Sequence, residues 1–70
     1  MTRFVPAPEG FEAGVYYDDA SRGYGVQARP VGGTWWTTCG FAGHAGLEPA
    51  EIDRRAAELA AKWCRLGMVK

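Results

Sequence analysis

One stretch limits what this chain can fold into more than any other: residues 49–66, Pro-Ala-Glu-Ile-Asp-Arg-Arg-Ala-Ala-Glu-Leu-Ala-Ala-Lys-Trp-Cys-Arg-Leu. Nearly all of these residues favour a helix. Ile52, Ala56, Leu59, Trp63 and Leu66 recur at steps of four and three, which gathers them on one helical face. Pro49 suits the first turn, where its missing N–H needs no partner, and Gly67 stands where a helix commonly stops. A helix with a single apolar stripe needs a second layer, so the upstream residues must supply its cover.

That cover reads as strands. Residues 14–18 are rich in β-branched and aromatic types, residues 24–29 alternate apolar and polar, and residues 34–41, Thr-Trp-Trp-Thr-Thr-Cys-Gly-Phe, are the most emphatic of the three. Short turn segments, Asp19-Ala-Ser-Arg and Pro30-Val-Gly-Gly, join them, which implies an antiparallel meander. Residues 1–13, with Val5-Pro-Ala-Pro, show no strand or helix period and read as an extended arm lying along the body. The expected architecture is α+β: one domain over residues 14–70, with a three-stranded antiparallel meander packed on one C-terminal helix, preceded by the arm. Seventy residues allow one thin core, and the three Trp, three Tyr and three Phe supply much of its apolar area.

Alternation then sorts the side chains. Val15, Tyr17, Tyr24, Val26 and Ala28 are expected to face the helix, joined by Trp35, Thr37, Cys39 and Phe41 from the third strand. Tyr16, Gln27, Arg29 and Trp36 would then share the outer face. Trp, Tyr and Arg together are the types enriched at binding hot spots, so these four form the candidate binding surface. The competing expectation is that the arm folds back over Trp36 and makes a second small core. On the helix, Ala57, Ala60, Ala61 and Cys64 form a strip of small residues beside the main stripe, suited to docking of the arm or, through Ala57, Ala61 and Cys64, to a homodimer contact.

Charge narrows the partner class. Eight basic and eight acidic side chains cancel, and neither half carries a basic surplus: three Arg against four acids up to Leu47, then five basic groups against four acids. Nucleic-acid binders usually do carry one, because phosphate contacts supply most of their non-specific affinity. No apolar run approaches the roughly 18 residues of a membrane span, and the first residues lack the pattern of a signal peptide. A cytoplasmic location with reduced Cys39 and Cys64 is the expectation.

Reactive residues are few. Cys39, His44 and Cys64 lack the paired spacing of a zinc site, so no metal or other cofactor is expected. Cys39 and His44 are close enough in sequence to be tested as a nucleophile pair, yet a chain this small has little room for a substrate pocket, and an enzyme is not expected. Gly40, Gly43 and Gly46 precede the helix like a phosphate-cradling loop. Against that, Glu48 and Glu51 put negative charge at the anion position and no Lys completes the motif.

Gly14-Val-Tyr-Tyr, the segment 23–29 (Gly-Tyr-Gly-Val-Gln-Ala-Arg), Gly33-Thr-Trp-Trp-Thr and the Ala-rich helix, taken in order over residues 14–64, resemble the small AP2-like arm-binding domain of phage tyrosine recombinases. The resemblance implies a sheet that reads DNA through its exposed face, with Tyr16, Gln27, Arg29 and Trp36 at the contact positions. Residues 34–41 lack the Lys and Arg that such a face uses. The expected function is therefore a non-enzymatic, phage-type modulator that binds a protein partner stoichiometrically through the sheet face, and the alternative is a DNA-binding module using that same face.

Overall fold

The structure, a computed structural model, describes residues 3–70. The arm expected over residues 1–13 begins with two residues, Met1 and Thr2, that lie outside this range. The rest of it is not a separate arm. Strand β1, Arg3–Val5, pairs antiparallel with β2, Phe11–Asp18, with Arg3 opposite Val15 and Val5 opposite Ala13. β2 pairs with β3, Gly23–Pro30, and β3 with β4, Thr37–His44, before the helix α1, Pro49–Arg65.

The sheet is a four-stranded antiparallel meander in the order β1-β2-β3-β4, so the three-stranded architecture expected from sequence is wrong by one edge strand. Three residues are too few to show a period of two. Here Val5 turns into the core, Phe4 turns out, and Arg3 reaches Asp53 on the helix. Tertiary contacts create this strand rather than its own propensity.

The sheet contributes Ala13, Val15, Val26, Ala28, Cys39 and Ala42 to the core, and the helix contributes Ile52, Ala56 and Ala60. Val69 closes the core behind the helix end. The stripe is rotated slightly from the expected one. Leu59 and Trp63 pack at its margin, Leu66 is largely exposed, and Ala60 takes the central place. Small side chains at 56 and 60 let the helix lie close on the sheet.

The helix ends as its sequence indicates. The Gly67 N–H bonds to the Cys64 carbonyl and the Met68 N–H to the Trp63 carbonyl, both at 3.1 Å. This is a Schellman stop, and Gly67 occupies the left-handed position it needs, with φ of 74°. Its last helical residue is Arg65, one before the expected end.

β4 departs furthest from simple alternation. Gln27 faces Thr38 and Val26 faces Gly40, so Cys39 is an extra residue; Gly25 faces Phe41 and Tyr24 faces Gly43, so Ala42 is another. Each bulge turns its extra residue into the core, and Gly40, with φ of 110°, follows the first one.

Candidate binding face

α1 covers one side of the sheet. The register fixes what stands on the other. Arg29 opposes Glu12, Tyr16 opposes Gly25 which opposes Phe41, Asp18 opposes Gly23 which opposes His44, and Phe4 opposes Gly14 which opposes Gln27. Glycines alternate with rings for a steric reason. A Cβ at Gly25 would fall within the Tyr16 ring, and one at Gly23 would meet the Phe41 ring and sit 2.6 Å from the Gly43 carbonyl. Tyr16 and Phe41 thus lie flat across bare backbone.

Aromatic residues gather again at the end of the sheet where β3 leads into β4. Trp36 stacks against the Arg29 guanidinium, whose carbon lies 4.2 Å from the ring centre. Phe4, from the edge strand, stands 6.2 Å from Trp36 in a tilted arrangement. Arg29 also donates from Nε to the Glu12 carboxylate, so one cation serves an ion pair and an aromatic face together. Phe4 is 62% exposed and neighbouring Trp35 is 81% exposed.

The four residues singled out from the sequence, Tyr16, Gln27, Arg29 and Trp36, all fall on this face and all are half-buried. Three inward assignments are corrected, Trp35, Phe41 and Tyr17. Trp35 was expected under the helix and is the most exposed large apolar residue of the described chain; Phe41 was expected inside and is 45% exposed. Strand β4 starts at Thr37, so Trp35 belongs to the preceding connection, where alternation does not apply. The bulge at Cys39 then reverses parity before Phe41.

Tyr17, also expected inside, is 46% exposed and packs edge to face on half-buried Tyr24, with centroids 5.5 Å apart, at the sheet end beside the β4–α1 loop. Sequence reasoning placed Phe4 in an arm lying along the body and did not count it among the residues of this face. Its signal was present, since an apolar ring in an arm must find cover or serve as a contact.

Cys39 and His44 do not form a pair. Cys39 is fully buried, and burial, with a smaller contribution from nearby Cys64, pushes its thiol up to about 11. His44 is exposed, with its ring edge-on to Phe41 at 5.7 Å. Neither cysteine is in a disulfide. Among the described residues, no group of three or more His, Cys, Asp or Glu side chains is placed to hold a metal ion, and no helix is long and apolar enough to cross a membrane.

The small-residue strip of α1 lies on the β1 side, where Asp53 is bound by Arg3, and Ala57, Ala61 and Cys64 are half-buried there. On its outer side the helix carries an ion-pair network. Glu51 is paired with both Arg54 and Arg55, and Glu58 is paired with Arg54 rather than with Lys62. Hydrogen bonds from Arg54 and then Arg55 hold the Glu51 carboxyl down at about 2.

No family model, curated protein or solved structure matches this chain. The resemblance to the recombinase arm-binding domain is thus carried by sequence pattern alone, and the fourth strand departs from the three of that pattern.

Proposed function

We propose that the protein is a small, non-enzymatic binding module that takes a protein partner stoichiometrically through the sheet face opposite α1. Trp35 and Phe4 are the first contacts in this reading, and Trp36 is the anchor held in place by Arg29. The observation that carries it is a Trp36 ring packed against both the Arg29 guanidinium and the exposed Phe4 ring, next in sequence to the exposed Trp35. A rigid aromatic cluster loses little conformational entropy on binding, which is why such residues dominate interface energetics. With Cys39 and Cys64 as free thiols, the reading fits a reducing compartment such as the cytoplasm.

The same face is poor in free cations. Arg29 is engaged by Glu12, and Asp18 adds a negative charge at the far end of the same face. A DNA-reading sheet needs guanidinium groups free for phosphate or base edges, so charge favours the protein partner over the nucleic-acid alternative.

The test is affinity capture from host lysate with and without nuclease, comparing the wild type with Trp35→Ala. A defined protein that survives nuclease, is lost with Trp35→Ala and rebinds when purified supports the reading. Recovery of nucleic acid, with binding that weakens steeply as salt rises, would replace it with the DNA-binding alternative.

A further inference from the structure

The two edges of the sheet are not equally guarded. β1 is three residues long and carries Arg3, whereas β4 runs for eight residues, Thr37–His44, without a charged residue or a proline. Native edges are normally blunted by such groups, and β4 has only its two bulges. Beside this edge lies a groove of about 300 Å³ lined by Phe41 and Ala42 from β4 and by Arg55, Glu58, Leu59 and Lys62 from α1. Its floor is apolar and its rim is charged with both signs.

The order of those signs identifies the occupant. The helix row that faces this side reads Glu51, Arg55, Glu58, Lys62: minus, plus, minus, plus. A two-fold axis perpendicular to the sheet brings a second copy of this row alongside in the opposite direction. Glu51 then meets the second copy's Lys62 position and Arg55 its Glu58 position, and both contacts recur by symmetry. Every facing pair is opposite in sign. A parallel arrangement would set each charge against its own kind.

The same axis continues the sheet across β4 to eight strands, with both helices on one face. α1 packs most heavily on β4 and next on β3, so the helix axes would lie about two strand spacings apart, roughly 10 Å, which is the ordinary helix–helix distance. The bulges at Cys39 and Ala42 break the regular ladder of β4, which leaves the helix charges to set the register. We propose that the chain forms an isologous, antiparallel homodimer across β4, keyed by Glu51, Arg55, Glu58 and Lys62. This interface meets the aromatic face only at Phe41 and is separate from the Ala57–Ala61–Cys64 strip.

Sedimentation equilibrium from micromolar to millimolar concentration tests it. The wild type should reach twice the 7.6 kDa chain mass. Glu58→Lys creates two like-charge contacts by symmetry and should weaken dimerisation roughly ten- to a hundredfold. Adding Arg55→Glu to that variant restores opposite signs and should recover affinity to within about threefold. Arg54→Ala breaks the same intrachain bridge to Glu58 without touching the proposed contact, and should leave the dimer intact. Circular dichroism confirms that each variant is folded. A wild type that stays monomeric throughout the range overturns the proposal and leaves the groove to a different occupant. So does a dimer indifferent to Glu58→Lys, or one that the charge swap fails to restore.

Discussion

Trp36 and Trp35 are adjacent in the chain and should respond to truncation in opposite ways. Trp36 is half-buried, with Arg29 4.2 Å from its ring centre and Phe4 at 6.2 Å. Removing the ring forfeits a partly exposed cation–π contact worth about 0.5–1 kcal/mol. The aromatic pair contributes about 0.5–1.5 kcal/mol more. Trp36→Ala should therefore cost about 1–2.5 kcal/mol, a sizeable share of the roughly 3.5–10 kcal/mol expected for a domain of this length. At about 4–8 °C per kcal/mol, Tm should fall by roughly 4–20 °C.

Trp35, at 81% exposure, has almost nothing to lose, and Trp35→Ala should stay within about 0.5 kcal/mol of wild type. Thermal and urea unfolding followed by circular dichroism would measure both. A double-mutant cycle with Arg29→Ala isolates the cation–π part, expected at about 0.5–1 kcal/mol. Equal losses from the two tryptophans, or no loss from Trp36→Ala, would refute the claim that Trp36 is braced and Trp35 free. The contrast also makes Trp35→Ala the cleaner probe of partner binding, because it perturbs the surface without the fold.

Three further outcomes are expected. Ile52→Ala removes the largest fully buried side chain and should cost about 2–5 kcal/mol, enough to populate unfolded chain at 37 °C; a loss under 1 kcal/mol would mean that the helix does not seat there. The Cys39 thiol, raised from 9.0 to about 11 by burial, keeps its proton in the folded state after the unfolded chain has lost it. Stability from this group is therefore complete below pH 9 and declines between pH 9 and 11, and Cys39→Ala should flatten that decline in pH-dependent urea unfolding. Glu51 has the opposite sign: its carboxyl is lowered from 4.5 to about 2 by Arg54 and Arg55, so its contribution is present above pH 4.5 and disappears as pH falls through 2, and Glu51→Gln should reduce the acid slope in low salt and less so in high salt.

Periodicity made the long elements legible. The helix from Pro49 and its stop at Gly67 followed from spacing and cap chemistry, and strands β2 and β3 lie close to where alternation puts them, β2 beginning three residues earlier. What failed was local parity. The bulges at Cys39 and Ala42 add residues that only the register with β3 reveals, and they moved Phe41 from the expected core to the surface. β1 was hidden because Val5 is specified by the space it fills rather than by any pattern of its neighbours. The placement of Tyr16, Gln27 and Arg29 on one face was readable because β2 and β3 alternate without interruption up to Arg29, and Trp36 joins them from the connection before β4 through its contact with Arg29. Cover of Trp36 by the N-terminal segment was one of two expectations; that it comes from Phe4 on a fourth strand was not legible, since three residues show no period.

The rings laid over Gly23 and Gly25 link pairs of distant positions in inheritance. A side chain at position 25 must displace the Tyr16 ring, whereas at position 23 it meets the Gly43 carbonyl as well as the Phe41 ring. The glycine is the constrained partner of each pair: the ring can be lost without it, but a Cβ cannot be added while the ring stays where it is. A chain descended from the same ancestor should carry a β-branched residue at 25 only where the ring at 16 is gone or has moved, while the ring at 16 can be lost with Gly25 kept.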